Sequence, residues 1–333
     1  EMCIRDRGKS PTKPDPDIYD HKYYHCDVLV VGGGISGIMA AKLSAENNNE
    51  TLLLDDKNTL GGATIYQNND CFQIDGTHTN YWLEKEINKI KNIKNLTIKT
   101  RTSLAAYHGY NYLLAKENLT DHLSPDERKG KIRQRLWKIR AKKVIIATGS
   151  IERPLIFNNN DRPGIMLSSA IKKFIDFYGV KAGKEISLFT NNDSAYETAI
   201  SLRKSGVNIV SIIDIRDKSS SKIVKEVEKH NIKIYWKHTI VNTEGYRRIS
   251  FIEIMQLSDD GSDVIGKKIK LKTDCLGISG GWTPMVHLFT QSGGKLKFRS
   301  DDNVFLPDKN KTPSDQISIC LLYTSDAADD LRC

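Results

Sequence analysis

Three glycines near the amino terminus have the spacing of a phosphate-binding turn. Gly32, Gly34 and Gly37 fit the pattern G-x-G-x-x-G, and Asp55 follows Gly37 by eighteen residues. The pattern alone is a weak signal. Here it follows a β-branched apolar run, opens a segment with helical periodicity and meets an acid after the next apolar run. This context predicts a turn that binds the pyrophosphate of a dinucleotide such as NAD or FAD.

Each position of this motif has a physical role. Gly32 permits the tight turn, Gly34 lets the pyrophosphate approach the backbone, and Gly37 lets the helix pack close to the sheet. The start of the helix, which includes Ser36, would present free N–H groups and a partial positive charge to the phosphates. Asp55 would accept hydrogen bonds from ribose hydroxyls. An acid there disfavours a 2′-phosphate, so NAD or FAD is favoured over NADP.

Several residues beyond the motif are expected to line the same cofactor. Asp56 directly follows the acid after the second strand. The others each come after a predicted strand, and they are Gly61, Gly62, Thr148, Gly149 and Gly281. Glycine there would let the backbone lie against the ligand. The alternative for the glycine positions is an ordinary turn.

A second strand–helix junction lacks the glycine motif. It reads Thr-Asn-Asn-Asp-Ser-Ala from Thr190, and without glycine the close approach of a pyrophosphate is disfavoured. The polar residues Asn191, Asn192, Asp193 and Ser194 can simply cap the following helix. The sharper alternative is that they face a polar ligand or a neighbouring subunit.

The elements that must position these residues alternate between strand and helix. The predicted helices are 35–45, 81–93, 194–205 and 222–230. The predicted strands are 26–31, 51–54, 96–101, 104–115, 134–142, 143–147, 184–190, 208–215, 232–236 and 274–279, with a β-meander over 240–256. This alternation predicts an α/β fold with two Rossmann-like dinucleotide-binding domains.

The pattern also suggests a division of the chain. We expect a linker at 8–25, a first nucleotide-binding domain at 26–155 and 265–319, and a second nucleotide fold at 156–264. The 333 residues suffice for two domains of about 150 residues each.

Composition excludes several classes of protein. The formal net charge is +9, but lysines alternate with acids and no nucleic-acid recognition motif accompanies them, so we expect no nucleic-acid partner. No apolar run reaches the ~20 residues of a membrane span, and with six cysteines and no signal peptide a cytoplasmic location is expected. Without a metal-like spacing or a catalytic constellation, we assign no metal ligand and no catalytic residue.

The two ends resemble translated sequencing adapter. This interpretation covers 1–7 and 320–333, and it predicts that the fold is truncated at both ends. Outside those segments the cysteines are Cys26, Cys71 and Cys275, and they form no Cys-x-x-Cys pair. A redox dithiol of that type is therefore not expected.

Strings throughout the chain resemble the α subunits of heterotetrameric sarcosine oxidases. The matching segments are Pro11–Asp17, Cys26–Gly34, Arg135–Trp137, Arg140–Lys142, Ala147–Pro154, Asn160–Met166, Phe189–Tyr196 and Ser279–Ser292. The resemblance implies a thioredoxin-reductase-like pair of dinucleotide domains in which the first motif holds NAD that does not turn over. It also implies β, γ and δ partner subunits, FAD in the β subunit and FMN between α and β.

The resemblance further implies a reaction. Such complexes demethylate sarcosine to glycine, produce hydrogen peroxide and pass the one-carbon unit to tetrahydrofolate. The tetrahydrofolate-binding domain and a small amino-terminal domain of the family have no counterpart among these residues, so no residue here is assigned to folate chemistry.

Two alternatives stay open at this point. One is a stand-alone FAD- or NAD(P)-dependent pyridine nucleotide oxidoreductase, which needs a second glycine motif and commonly a redox dithiol. The other is the α subunit of an opine or proline dehydrogenase-type complex, which shares parts of this architecture.

Overall fold

The computed structural model of the chain describes residues 12–66, 73–312, 314 and 316–320. Segment 1–7, residues 321–333 of the adapter-like segment 320–333, the first part of the expected linker at 8–11, and Cys71 lie outside the described residues.

Helices and strands alternate along the described chain. The helices are α1 Ile35–Glu46, α2 Thr79–Lys91, α3 Pro125–Arg128, α4 Ser168–Asp176, α5 Ser194–Lys204, α6 Lys222–Lys229 and α7 His287–Gln291, with 3-10 turns at Gly62–Tyr66 and Lys309–Lys311. The strands are β1 Ile18–Val31, β2 Thr51–Leu54, β3 Gln73–Ile74, β4 Thr77–His78, β5 Leu96–Lys99, β6 Thr102–His108, β7 Tyr112–Asn118, β8 Ile132–Ile146, β9 Ser150–Glu152, β10 Ile165–Leu167, β11 Glu185–Thr190, β12 Asn208–Asp214, β13 Ile234–Trp236, β14 His238–Glu244, β15 Phe251–Leu257, β16 Val264–Lys272, β17 Cys275–Ser279, β18 Trp282–Pro284, β19 Leu296–Arg299, β20 Val304–Pro307 and β21 Ile317–Ile319.

The first unit is built on a seven-stranded sheet with two parts. Its parallel part has the order β5-β2-β1-β8, and β21 pairs with the last residues of β8. Val28–Val31 in β1 and all of β2 are buried, as expected for strands covered on both faces. Helices α1 and α2 cover one face, where Ile38 and Leu83 join the core.

The other part of this sheet, which we call the blade, extends beyond the parallel strands. It consists of Ile18–His25 of β1, Ile132–Arg140 of β8, and strands β7 and β6. One face of the blade is buried around Trp137, together with Phe289 of α7. The opposite face is described below.

The second unit is a five-stranded parallel sheet in the order β10-β17-β11-β12-β13. Helices α4, α5 and α6 contribute Ile171, Tyr196 and Val224 to the core on one face. The antiparallel sheet β14-β15-β16 packs on the other face. The predicted β-meander is therefore confirmed, and it is longer than expected because β16 adds a third strand.

Buried polar contacts join the two units. The carboxylate of Glu152 accepts a hydrogen bond from the amide of Ser169 at the start of α4, at 2.8 Å. The ammonium of Lys172 in α4 donates to the carbonyl of Tyr66 at 2.5 Å and pairs with Asp176 at 2.7 Å. These contacts hold α4 against the segment that follows the glycine-rich turn of the first unit.

Three expectations about the elements are wrong. Residues 18–25 are not linker, because they pair with β8 residue by residue. The single strand expected at 104–115 is two strands, because the backbone turns back at Tyr110 and Asn111, both with positive φ. Conversely, the strands expected at 134–142 and 143–147 are one strand, β8.

The expected domain boundary at 265 also moves. Strand β16 pairs with β15, and β17 lies between β10 and β11 in the second sheet. The second unit therefore continues through Ser279, and the chain rejoins the first sheet at β21. No helix among the described residues is long and apolar enough to cross a membrane.

Candidate functional site: a glycine cradle at the end of the first strand

Two glycines of the motif are required by the packing of the protein itself. Gly32 has a φ of +106°, and a Cβ atom there would lie 2.2 Å from the carbonyl oxygen of Ala147. A Cβ atom on Gly37 would lie 1.8 Å from the carbonyl oxygen of Gly32. Both distances are far below contact, so these positions fix the turn and let α1 approach the sheet.

Gly34 differs from the other glycines of the motif. Its φ is −74°, which any residue adopts, and a Cβ atom there would meet no protein atom within 4 Å. Gly34 is the residue before α1, where no side chain caps the helix and no acid lies in the first turn. The exposed Ser36 is in that turn. The open space before an uncapped helix start fits an anionic group such as a pyrophosphate.

The acid after the second strand is bound to the glycine turn. Asp55 is only 6% exposed, and its carboxylate accepts hydrogen bonds from the amides of Gly33 at 2.5 Å and Lys57 at 2.8 Å. Burial raises the pKa of Asp55, and these hydrogen bonds only partly offset that effect. The neighbouring Asp56 points to solvent, where it pairs with Lys57 at 2.7 Å.

A second glycine pair, Gly61 and Gly62, lies beside the open space at Gly34, which we call the cradle. The amide of Gly61 donates to the carbonyl of Gly33 at 2.7 Å. A Cβ atom on Gly62, whose φ is +58°, would lie 3.0 Å from the Cα atom of Gly34. The two glycine turns therefore meet in space. Their ligand contacts stay predictions.

The segment after β8 lies on the other side of the turn. Ala147 contacts Gly32, and the hydroxyl of Thr148 donates to the carbonyl of Met285 at 3.1 Å. Gly149 has a φ of +69° and open space where a side chain would be. Gly281, in contrast, has atoms of Arg153 as its nearest neighbours, and its carbonyl accepts a hydrogen bond from the Arg153 amide at 2.8 Å. Gly281 therefore packs against Arg153 in the connection between the units, and its contact with a cofactor stays a prediction.

The junction of the second unit is filled by its own side chains. The amide group of Asn192 donates to the carbonyl of Ser279 at 3.2 Å, and its oxygen accepts from the Ser194 backbone at 3.0 Å. The indole of Trp282 donates to the Ser194 hydroxyl at 3.4 Å. Asp193 precedes α5 without a side-chain cap, so Asn192 performs the capping role instead. These bonds cross-link the ends of β11 and β17.

An ion-pair network occupies the neighbouring strand end. Asp214, fully buried at the end of β12, accepts hydrogen bonds from the Tyr196 hydroxyl at 2.8 Å and from the guanidinium of Arg216 at 2.8 Å. Arg216 also donates to Asp193 at 2.8 Å. Asp214 holds the position that corresponds to Asp55 in the first unit, but its carboxylate is committed to the protein.

No metal centre or redox dithiol is formed by the described residues. They contain no group of three His, Cys, Asp or Glu side chains placed to hold a metal ion. Cys26 and Cys275 are buried in different sheets, and burial raises the pKa of each thiol to about 12. Thiols of this kind are poor nucleophiles at neutral pH.

The sequence alone did not identify three contributors to these sites. Gly33 supplies the amide that binds Asp55, and the run of three consecutive glycines was the available signal. Arg216 follows Asp214 by two residues, and this spacing of opposite charges at the end of a strand was the available signal for an ion pair. Met285 had no local signal, because its carbonyl meets Thr148 from 137 residues away.

Comparisons with known proteins agree with this geometry. A family model described as pyridine nucleotide-disulphide oxidoreductase matches residues 26–320. The sarcosine oxidase subunit alpha of Corynebacterium sp. strain P-1 is 34% identical over 307 residues, which is 92% of this chain and 31% of that protein. The corresponding subunit of Rhizobium meliloti is 30% identical over 305 residues, which is 90% of this chain and 29% of that protein. The chain thus spans about a third of these curated relatives.

Solved structures show the same fold. The L-proline dehydrogenase of P. horikoshii superposes with a TM-score of 0.64 at 22% identity, covering 90% of this chain and 51% of that one. The thioredoxin reductase of T. acidophilum superposes with a TM-score of 0.63 at 18% identity, covering 89% of each chain. The expected pair of thioredoxin-reductase-like domains is confirmed. The chain belongs to the pyridine nucleotide-disulphide oxidoreductase family.

Proposed function

We propose that this chain is the dinucleotide-binding part of the α subunit of a sarcosine-oxidase-like complex. The observation that carries the proposal is the open space at Gly34, which the protein's own packing leaves unexplained. The similarity to sarcosine oxidase α subunits along nine-tenths of the chain supports this choice of complex.

The cradle fits NAD, with FAD as the alternative. The amides at the start of α1 and the backbone of Gly62 would hold the pyrophosphate, and the remaining lone pairs of Asp55 would accept hydrogen bonds from a ribose. The residues after β8, Thr148 and Gly149, would close the opposite side. When bound, NAD supplies a nicotinamide ring able to carry hydride. This chain's own residues bind and orient the nucleotide.

In this proposal the oxidation takes place on a partner. The β subunit carries FAD and oxidises sarcosine, and FMN lies between the α and β subunits, with γ and δ subunits completing the complex. The net reaction converts sarcosine and oxygen to glycine and hydrogen peroxide, and the one-carbon unit passes to tetrahydrofolate.

Two other functions compete with it. The thioredoxin reductase superposition favours a stand-alone pyridine nucleotide oxidoreductase, but Thr190 and Asn192 occupy the glycine positions that a second dinucleotide would need. The superposition with proline dehydrogenase keeps a second alternative open, in which this chain is the α subunit of a complex that oxidises another secondary amine.

One experiment separates these functions. The full-length gene is co-expressed with a neighbouring β-type subunit gene, and the nucleotide released by heat is identified by mass. We expect NAD from the α subunit and sarcosine-dependent peroxide only from the complex. Oxidation of NADH with a dye acceptor by the isolated chain would contradict the proposal, and preference for proline or an opine would move it to the related complexes.

A further inference from the structure

The outward face of the blade carries cations and aromatic rings. It is formed by alternate side chains from Tyr19 to His25 in β1, from Gln134 to Arg140 in β8 and from Tyr112 to Asn118 in β7, which we call the blade face. The residues between them point to the buried side, where Leu113, Trp137 and Ile139 are at most 1% exposed. None of its side chains belongs to a hydrophobic core, and two neighbouring segments reach its margin, where the Tyr19 hydroxyl donates to Asp15 at 2.7 Å and the Gln134 side chain donates to Asp121 at 3.0 Å.

The acidic side chains of these three segments are confined to one side of the blade. The acids of these three segments, Asp20 and Glu117, lie on the buried side, where Arg135 pairs with Asp20 at 2.9 Å and the Trp137 indole donates to Glu117 at 2.7 Å. The blade face therefore carries Lys116, Lys138 and Arg140, and the acids that reach it, Asp15 and Asp121, are bonded to Tyr19 and Gln134 at one end. Such a surface attracts an acidic one.

Two aromatic rings of the blade face, those of Tyr23 and Tyr112, have a cation over one side. The ammonium of Lys138 lies 5.0 Å from the centre of the Tyr23 ring, and the guanidinium of Arg140 lies 5.0 Å from the centre of the Tyr112 ring. Nucleic-acid bases stack on open aromatic faces. A cation over one side of each of these two rings competes with base stacking there, which favours a protein as the partner.

The centre of the blade face is apolar. Leu114 and Leu136 are half-buried and stand opposite Lys138 and Lys116 of the neighbouring strands. Tyr23, 69% exposed, lies at the margin. Apolar side chains at the centre with tyrosine and arginine around them are the composition of a protein interface. A second copy of this chain would bring cation against cation, which disfavours self-association through this face.

We infer that the blade face docks an acidic surface on a different polypeptide of the complex. The inference rests on the proposed function, because that function supplies the partner subunits. Strand β1 extends the contact region. Among the described strands, β8 is the only one that pairs with Ile18–His25, so the other edge of this part of β1 is open.

Charge reversal tests the inference in the co-expressed complex of full-length subunits. The variant Lys116→Glu, Lys138→Glu, Arg140→Glu is compared with Lys222→Glu, Lys225→Glu, Lys229→Glu on the exposed side of α6, which changes the charge equally. We expect subunit association at low ionic strength to weaken by roughly tenfold or more in the blade variant and to remain unchanged in the control. Retention of the bound nucleotide reports that both variants are folded.

Zero-length carbodiimide cross-linking identifies the partner surface. In the wild-type complex, Lys116 and Lys138 are expected to cross-link to Asp or Glu residues of another polypeptide. Unchanged assembly of the folded blade variant, cross-links confined to the same polypeptide, or loss only of binding to a labelled single-stranded RNA would overturn the inference and leave the proposed function standing. A wild-type chain that assembles with no partner would overturn both.

Discussion

The carboxylate of Asp55 accepts a hydrogen bond from the amide of Gly33 at 2.5 Å, so the acid that ends the second strand is fastened to the glycine turn that follows the first. This bond holds the acid where a ribose would lie if the pyrophosphate occupied the open side of Gly34. Asp56, one residue later, takes no part in the turn and is exposed.

The first prediction contrasts these two acids. Asp55→Asn keeps the shape of the side chain but removes the charge, and hydrogen bonds to charged groups contribute about 1.5–3 kcal/mol. We therefore expect NAD to bind roughly tenfold or more weakly, as measured by calorimetry. Asp56→Asn is the matched control and should bind like the wild type. Equal losses in both variants would contradict the assigned role of Asp55.

The second prediction concerns pH. Because burial raises the pKa of Asp55, its charge is lost at a higher pH than in an ordinary aspartate, whose pKa is about 3.9. NAD affinity should fall as the pH falls through this raised pKa, and in Asp55→Asn this component should be absent. The effect of Asp55 on stability has the opposite pH dependence. Its contribution to the free energy of unfolding is present below the unfolded-state pKa and is lost as the pH rises through the folded-state pKa. Calorimetric titrations and thermal unfolding across that range measure both effects.

The third prediction is one dinucleotide per chain. In the second unit, Asn192 and Ser194 fill the junction between β11 and β17, and Arg216 engages Asp193 and Asp214. Native mass spectrometry of the chain saturated with NAD should show a single bound molecule. Two bound molecules would show that this network opens.

The fourth prediction concerns the thiols. With pKa values of about 12, Cys26 and Cys275 should carry almost no thiolate at pH 8. We expect labelling by a thiol reagent only after denaturation, located by peptide mass spectrometry. Rapid labelling of either residue in the native protein would place a reactive thiol in this fold.

Local spacing was sufficient to predict the cradle but not its surroundings. Gly32, Gly34, Gly37 and Asp55 were identifiable because strand, turn and helix are contiguous in sequence, and the structure places them together. Gly281 was assigned to the same site because it follows a predicted strand, and its contact with Arg153 is visible only in the tertiary fold.

Non-local pairing explains the other errors. Residues 18–25 contain no apolar run, and they become a strand because β8 offers a partner along its whole length. Strand β17 belongs to the second sheet because β10 and β11, more than eighty residues earlier, enclose it. Neither relationship has a local signature, so the domain boundary at 265 was misplaced.

The most direct test compares two alanine substitutions in the motif. Gly34→Ala places its methyl group in open space, so the free energy of unfolding should change by no more than about 1 kcal/mol, while NAD binding should weaken by roughly tenfold or more. Gly37→Ala drives its methyl group into the Gly32 carbonyl and should destabilise the fold itself. Thermal unfolding and calorimetry of the purified chain measure both quantities. A Gly34→Ala protein that is folded and binds NAD like the wild type would contradict the assignment of this turn as the dinucleotide site.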